Sequence, residues 1–157
     1  MEQRYETKES FDVVGMNIST TIKETKNKIE IPQLWGNFHK RFNEIQNRKG
    51  DKIFFGICDS DDPTWENFDY CTAVEVNSVN DIPTGMISKK IPNSKYAVFL
   101  HKGDFMKIGE TWDKAMKEWL PSSDKKYNEE GISFELYDER FTMDENNICE
   151  IWIPIKE

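Results

Sequence analysis

The apolar pattern of this chain runs through one order of elements and then repeats it, and that repetition limits the fold more than any single motif. Phe11 to Ile18 reads as a strand, and a polar, lysine-containing connection follows from Ser19 to Glu30. Leu34, Trp35, Phe38, Phe42 and Ile45 then recur at helical spacing behind Pro32, which suits a first turn, until Lys49-Gly50 closes the segment. Residues 52–58 and 70–76 read as strands, joined by an acidic loop through Asp59, Asp61, Asp62, Pro63 and Trp65. After a short extra strand from about Gly85 to Lys90, the order returns. Tyr96 to His101 is strand-like, and Gly103-Asp104 supplies a turn and an N-cap. Phe105, Ile108, Trp112, Ala115 and Trp119 then mark a helical face that Pro121 stops. Two alternating runs, 134–141 and 149–155, close the chain. Phe55-Gly56-Ile57-Cys58-Asp59 aligns with Phe134-Glu135-Leu136-Tyr137-Asp138, and Cys71-Thr72-Ala73-Val74 with Glu150-Ile151-Trp152-Ile153, a repeat of roughly 80 residues. The expectation is an α+β chain of duplicated β-α-β-β units, with an antiparallel sheet and two main helices. The halves fall at about 1–80 and 84–157 of a single 1–157 domain.

The closing runs also carry the chemistry. On the first, Phe134 and Leu136 point one way and Glu135 and Tyr137 the other; on the second, Ile151, Ile153 and Ile155 oppose Glu150 and Trp152. A hairpin is expected to gather both acids and both aromatics on one surface. Carboxylates framed by aromatic rings suit a cation, since the rings supply quadrupole attraction and the acid supplies charge. A desolvated acid of this kind is expected to have a raised pKa. The competing readings are a solvated sheet face and an acid paired with Lys or Arg. The aligned positions of the first half hold Gly56, Cys58, Cys71 and Ala73, so halves packed side by side would form a cleft with one small wall and one acidic, aromatic wall. Tyr96 alternates with Val98 and Leu100, which fits packing, and also stands within reach of that cleft. Trp35, Trp112 and Trp119 lie on apolar helical faces and read as core.

Composition narrows the function classes. The 157 residues carry a net charge of −8, which repels nucleic-acid phosphate and attracts cations, so direct DNA binding is disfavoured. No apolar run approaches the roughly 20 residues that span a bilayer, and 1–6 lacks a secretory core, giving an expected cytoplasmic location without membrane contact. Cys58, Cys71 and Cys149 lack CxxC spacing and read as reduced, buried thiols. His39 and His101 have no ligand-type neighbours, and the Asp59-Asp62 run lacks the glycine and distant glutamate of a calcium loop, so neither metal nor cofactor is expected.

Leu34-Trp35 with Phe38, residues 70–76, Pro83-Thr84-Gly85-Met86, Ile91-Pro92, residues 96–103, Trp119-Leu120-Pro121, residues 134–138 and residues 150–155 together resemble the gyrase-inhibitor-like small-molecule-binding domain. This is also the effector-binding domain of some AraC-type and MerR-type multidrug regulators. The resemblance implies two β-α-β-β repeats related by pseudo-twofold symmetry, with a ligand groove between the halves that holds small cationic or amphipathic molecules and has an acid deep inside. The family pattern carries that acid onto Glu135 and Glu150, and both stand as candidates. Tyr137, Trp152, Tyr96 and Cys71 complete the expected ligand-binding set. Regulators of the family attach the module to a DNA-binding domain; this chain reads as a stand-alone member, with transcription regulation reached through a partner. Two alternatives come with the resemblance. One is hydrolysis of strained electrophilic rings, with Glu135 or Glu150 as base and Tyr137 as proton donor. The other is protein binding of the gyrase-inhibitor type, with gyrase or a regulator as partner.

Overall fold

The computed structural model describes residues 2–157 and divides into two compact units, Phe11–Ile91, and Pro92–Glu157 joined by the N-terminal strand β1 (Gln3–Lys8). The order β-α-β-β occurs once in each.

In the Phe11–Ile91 unit, β2 (Phe11–Thr21), α1 (Lys26–His39), β3 (Phe54–Asp59), β4 (Asn67–Val76) and β5 (Ile87–Ile91) follow in sequence, with strand order β3-β4-β2-β5 and antiparallel pairing throughout. Helix α1 packs Leu34 and Phe38 inward, and Phe38 joins Val14, Ile45, Val74, Val76 and Met86 in the core. This helix begins earlier and ends earlier than the apolar spacing predicts. Lys26 to Ile31 form its polar first turns, with Ile29 exposed, so no apolar periodicity announces them. Pro32 therefore sits inside the helix, where it removes an intrahelical hydrogen bond. The helix stops at His39, and Phe42 and Ile45 reach the core through a short 3-10 turn, Phe42–Glu44. Arg41 fixes that turn by pairing with Glu44 at 2.9 Å and donating to the Thr84 carbonyl at 2.8 Å.

In the second unit, β6 (Ser94–Lys102), α2 (Ile108–Asp113), α3 (Leu120–Ser122), β7 (Lys126–Tyr127), β8 (Ser133–Tyr137) and β9 (Ile148–Lys156) give the strand order β1-β6-β9-β8, with β7 also paired to β9. The second predicted helix is composite: a 3-10 turn at Phe105–Lys107 leads into α2, and six residues of π-helix, Lys114–Trp119, separate α2 from α3. Its inner face, with Ile108, Trp112, Met116 and Trp119, covers Ala97, Phe99, Ile151, Ile153 and Ile155 of the sheet.

The register of β8 against β9 corrects the expected surface. Phe134 lies opposite Trp152, Glu135 opposite Ile151, and Leu136 opposite Glu150. Directly paired residues share a face, so Glu135 and Tyr137 fall with Ile151 and Ile153 under the helix, while Glu150 and Trp152 fall with Phe134 and Leu136 on the other face. The two acids are on opposite sides of the sheet.

Candidate functional site

Glu135 occupies the middle of β8 and is 4% exposed. Each carboxylate oxygen receives a neutral donor: the Trp112 Nε1–H donates to Oε2 at 2.7 Å, and the Tyr137 hydroxyl donates to Oε1 at 2.6 Å. Both donors favour the charged acid against its desolvation. Around them the rings of Phe105, Tyr137 and Phe141 meet edge to face, with centroids 5.5 to 5.8 Å apart. Glu135 and Tyr137 are buried, whereas Phe105, Trp112 and Phe141 are half-buried; Trp112 reaches the acid directly, and Phe105 and Phe141 pack on the Tyr137 ring that donates to it, which makes a partly exposed aromatic rim. Such a rim offers π faces and apolar contact, and the acid beneath supplies the charge.

Local sequence explains how the rim is placed. Gly103 turns the chain out of β6 with φ 111°, and the Asp104 side chain caps the 3-10 turn by accepting from the Met106 N–H at 3.0 Å. Phe105 lies on that turn and Trp112 two helical turns further on α2. Phe141 follows β8, in a turn closed by its own N–H on the Asp138 carbonyl at 3.0 Å.

Glu150 is also buried, at 5% exposure, but its surroundings differ. Arg4 of β1 donates to both of its oxygens at 3.1 Å, Arg140 donates to Oε2 at 2.8 Å, and the Trp152 indole donates to Oε1 at 2.9 Å. Arg140 in turn holds Asp138 at 2.8 Å. Burial alone would push the Glu150 pKa up; the hydrogen bonds from Arg140, Trp152 and Arg4 outweigh it and hold the acid below the ordinary glutamate range. The expected raised pKa is thus wrong for Glu150, which is the arginine-paired acid of the competing reading.

The remaining candidates separate in the same way. Trp152 stacks on Phe134 at 5.3 Å beneath the Arg4 guanidinium, and Tyr96 meets both rings edge-on at 5.4 Å. Tyr96 is fully buried, its hydroxyl has no hydrogen-bond partner among the described residues, and burial pushes its pKa up to about 12. Cys71 lies in the other unit, fully buried on β4, with its thiol likewise pushed up to about 12 by burial. Of the six candidates, Glu135 and Tyr137 come together under the helix, and Glu150, Trp152 and Tyr96 share the opposite face. Trp112, Phe105, Phe141, Arg4 and Arg140 were not among them. Trp112 alone carried a legible signal, because an indole N–H on an apolar face requires a buried acceptor.

In the Phe11–Ile91 unit a depression of about 480 Å³ is lined by Ser19, Thr20, Lys26, Asp59 and Asp69, among others. Its polar groups bond to local partners, Ser19 to Asp69 and Thr20 to Glu30, each at 2.7 Å. In the same acidic loop Asp62 accepts from the Thr64 hydroxyl and from the Thr64 and Asn67 backbone N–H groups, which hold its pKa at about 2. No helix among the described residues is long and apolar enough to cross a membrane.

Comparison with known proteins adds a family and a fold. Residues 4–155 match the family described as integron-associated effector binding protein. The transcriptional regulator BrlR of Pseudomonas aeruginosa is 33% identical over 99% of this chain, and the match covers 56% of BrlR, so the chain spans about half the length of that relative. The structure of SAV2435 bound to tetraphenylphosphonium superposes with a TM-score of 0.78 at 22% identity, covering 99% of this chain and 94% of the other. An integron cassette protein of Vibrio cholerae superposes with a TM-score of 0.64 at 16% identity, covering 98% and 95%.

Proposed function

Because the chain belongs to the integron-associated effector binding proteins, a family with transcription-regulator relatives, we propose that it senses a lipophilic organic cation, held at Glu135 beneath the rim of Phe105, Trp112 and Phe141. The observation that carries this reading is the buried carboxylate with a neutral N–H and a neutral O–H on its two oxygens. Those donors orient the acid and stabilise its charged form, and an entering cation gains Coulomb energy from that charge in a site of low dielectric. The rim supplies cation–π and apolar contact to a cation that has no N–H of its own. Tetraphenylphosphonium, the ligand of the superposable SAV2435, is such a cation. Glu150, tied to two arginines, serves in this reading as a structural acid. Any effect on transcription would pass through a DNA-binding domain or partner, since the net charge of −8 on these residues opposes their direct contact with phosphate.

A thermal-shift titration with tetraphenylphosphonium tests the proposal. At about 100 times its dissociation constant the ligand stabilises the wild type by roughly 2.7 kcal/mol. Glu135→Gln is expected to remove that shift and Glu150→Gln to retain it relative to its own baseline. Retention of the full shift in Glu135→Gln would refute the assignment. The 2.6 Å contact of the Tyr137 hydroxyl with Glu135 also suits a proton donor beside a base, the arrangement that hydrolysis of an electrophilic ring would use. Chromatography of an electrophilic ligand after incubation separates the two readings, because a binding module returns it unchanged.

A further inference from the structure

Two buried polar residues stand outside the Glu135 cluster. His101, on the helix-covered face of β6, is 4% exposed, and Asn147, just before β9, is fully buried. Both bond to the segments that carry the rim.

The His101 ring bridges two points of one segment. Its Nε2 lies 2.8 Å from the Asp104 carbonyl, and its Nδ1 lies 2.7 Å from the Thr111 hydroxyl. A carbonyl only accepts, so Nε2 carries the proton and donates, and Nδ1 accepts from Thr111. That assignment satisfies both nitrogens of a neutral ring. It also draws the Thr111 hydroxyl away from its own helix, where threonine otherwise bonds back to a carbonyl one turn earlier. The bridged segment begins beside Phe105 and ends beside Trp112. Asn147 ties a second pair of points: its Nδ2–H donates to the Gly103 carbonyl at 3.1 Å, and its Oδ1 accepts from the Thr142 N–H at 3.2 Å. The first precedes Phe105 by two positions and the second follows Phe141 directly.

We propose that His101 is the positioning residue of the effector site: by clasping Asp104 and Thr111 it fixes where Phe105 and the Trp112 indole stand over Glu135, while Asn147 registers that segment against Phe141. The proposal rests on the reading of Glu135 as the cation site, and it assigns specificity to a residue that meets no ligand. A rim held by part-buried hydrogen bonds is already in its binding geometry, so a ligand does not have to order it. With the clasp open, the rings keep their chemistry but lose their placement, and affinity falls without loss of the acid.

The test uses Thr111, because His101→Ala leaves a cavity that can unfold the protein. Thr111→Val keeps the shape and removes the donor; Thr111→Ser keeps the donor. Two readouts are taken on the full chain. The first is the Trp112 indole N–H resonance in a ¹⁵N correlation spectrum, identified by its loss in Trp112→Phe; its hydrogen bond to the Glu135 carboxylate places it downfield. Thr111→Val is expected to move it towards the value of a solvated indole, and Thr111→Ser to leave it in place. The second is the affinity for tetraphenylphosphonium, expected to fall about tenfold in Thr111→Val and to stay within about twofold in Thr111→Ser. An unmoved indole resonance in Thr111→Val overturns the proposal, as does an unchanged affinity. If the wild type fails to bind tetraphenylphosphonium, the cation reading falls, and the indole resonance alone decides whether His101 positions Trp112.

Discussion

Two glutamates 15 positions apart, Glu135 and Glu150, are equally buried and carry different chemistry because of what donates to them. The Trp112 indole and the Tyr137 hydroxyl donate to Glu135, whereas Glu150 receives two guanidinium groups and an indole. A carboxylate whose folded pKa lies below its unfolded value adds stability above the unfolded pKa and loses it as pH falls through the folded one. Glu150 is such a group. Urea unfolding at pH 7 should therefore show Glu150→Gln less stable than wild type by about 2 kcal/mol, a figure reduced from that of a fully buried pair because Arg4 and Arg140 are 45% and 39% exposed. As pH falls below the unfolded value of 4.5 and on through the lowered folded one, the gap should narrow, since the contribution of the charged acid is lost over that range. A gap that is constant with pH would show that the ion pairs contribute nothing. In the sequence both acids stood in alternating runs beside an aromatic and looked alike. What separated them was a register of one residue, which flips a whole strand face, and two arginines, one of them on an N-terminal strand 146 positions away from Glu150.

At the scale of elements, strands were legible wherever apolar residues alternate, and β4, β6 and β9 follow their runs closely. The short β7 and the charged, exposed β1 escaped, since pairing with β9 and β6 rather than an apolar face defines them. The helices were legible as buried faces and not as lengths. Polar turns extend α1 forwards, and a π-helical stretch interrupts the second helix without disturbing which side chains face the sheet. One position of β2 admits no side chain at all. A Cβ on Gly15 would lie 1.9 Å from the Thr72 carbonyl oxygen and 2.7 Å from the Ala73 Cα, both of them backbone of the paired strand β4. Backbone cannot rotate aside as a side chain does, so Gly15→Ala must push β2 from β4. Thermal and urea unfolding should show a loss of about 3 kcal/mol, the upper range of overpacking. Gly109, in α2 with open space around its Cβ position, serves as the control: Gly109→Ala should be neutral or stabilising by roughly 0.5 kcal/mol. Equal behaviour of the two variants would contradict the crowding at Gly15.

For the whole molecule, a net charge of −8 and one buried acid both attract cations, and they act over different distances. The field of the exposed charges is screened within about 8 Å at physiological ionic strength, whereas a carboxylate under a helix is screened far less. Tetraphenylphosphonium and tetraphenylborate have the same shape and opposite charge, so their difference in affinity isolates electrostatics from the apolar contact that the rim offers to both. The wild type is expected to prefer the phosphonium by about a hundredfold, since a like charge placed against a buried acid costs several kcal/mol. Glu135→Gln removes one negative charge and leaves the remaining net negative field in place. If the acid dominates, this variant loses most of the preference, and raising salt from about 0.05 M to 0.5 M weakens wild-type phosphonium binding by less than about threefold. If the global field dominates, Glu135→Gln keeps the preference and salt removes it. Isothermal titration of both ions at the two salt concentrations distinguishes the outcomes, and with them whether selectivity belongs to one side chain of β8 or to the composition of the chain.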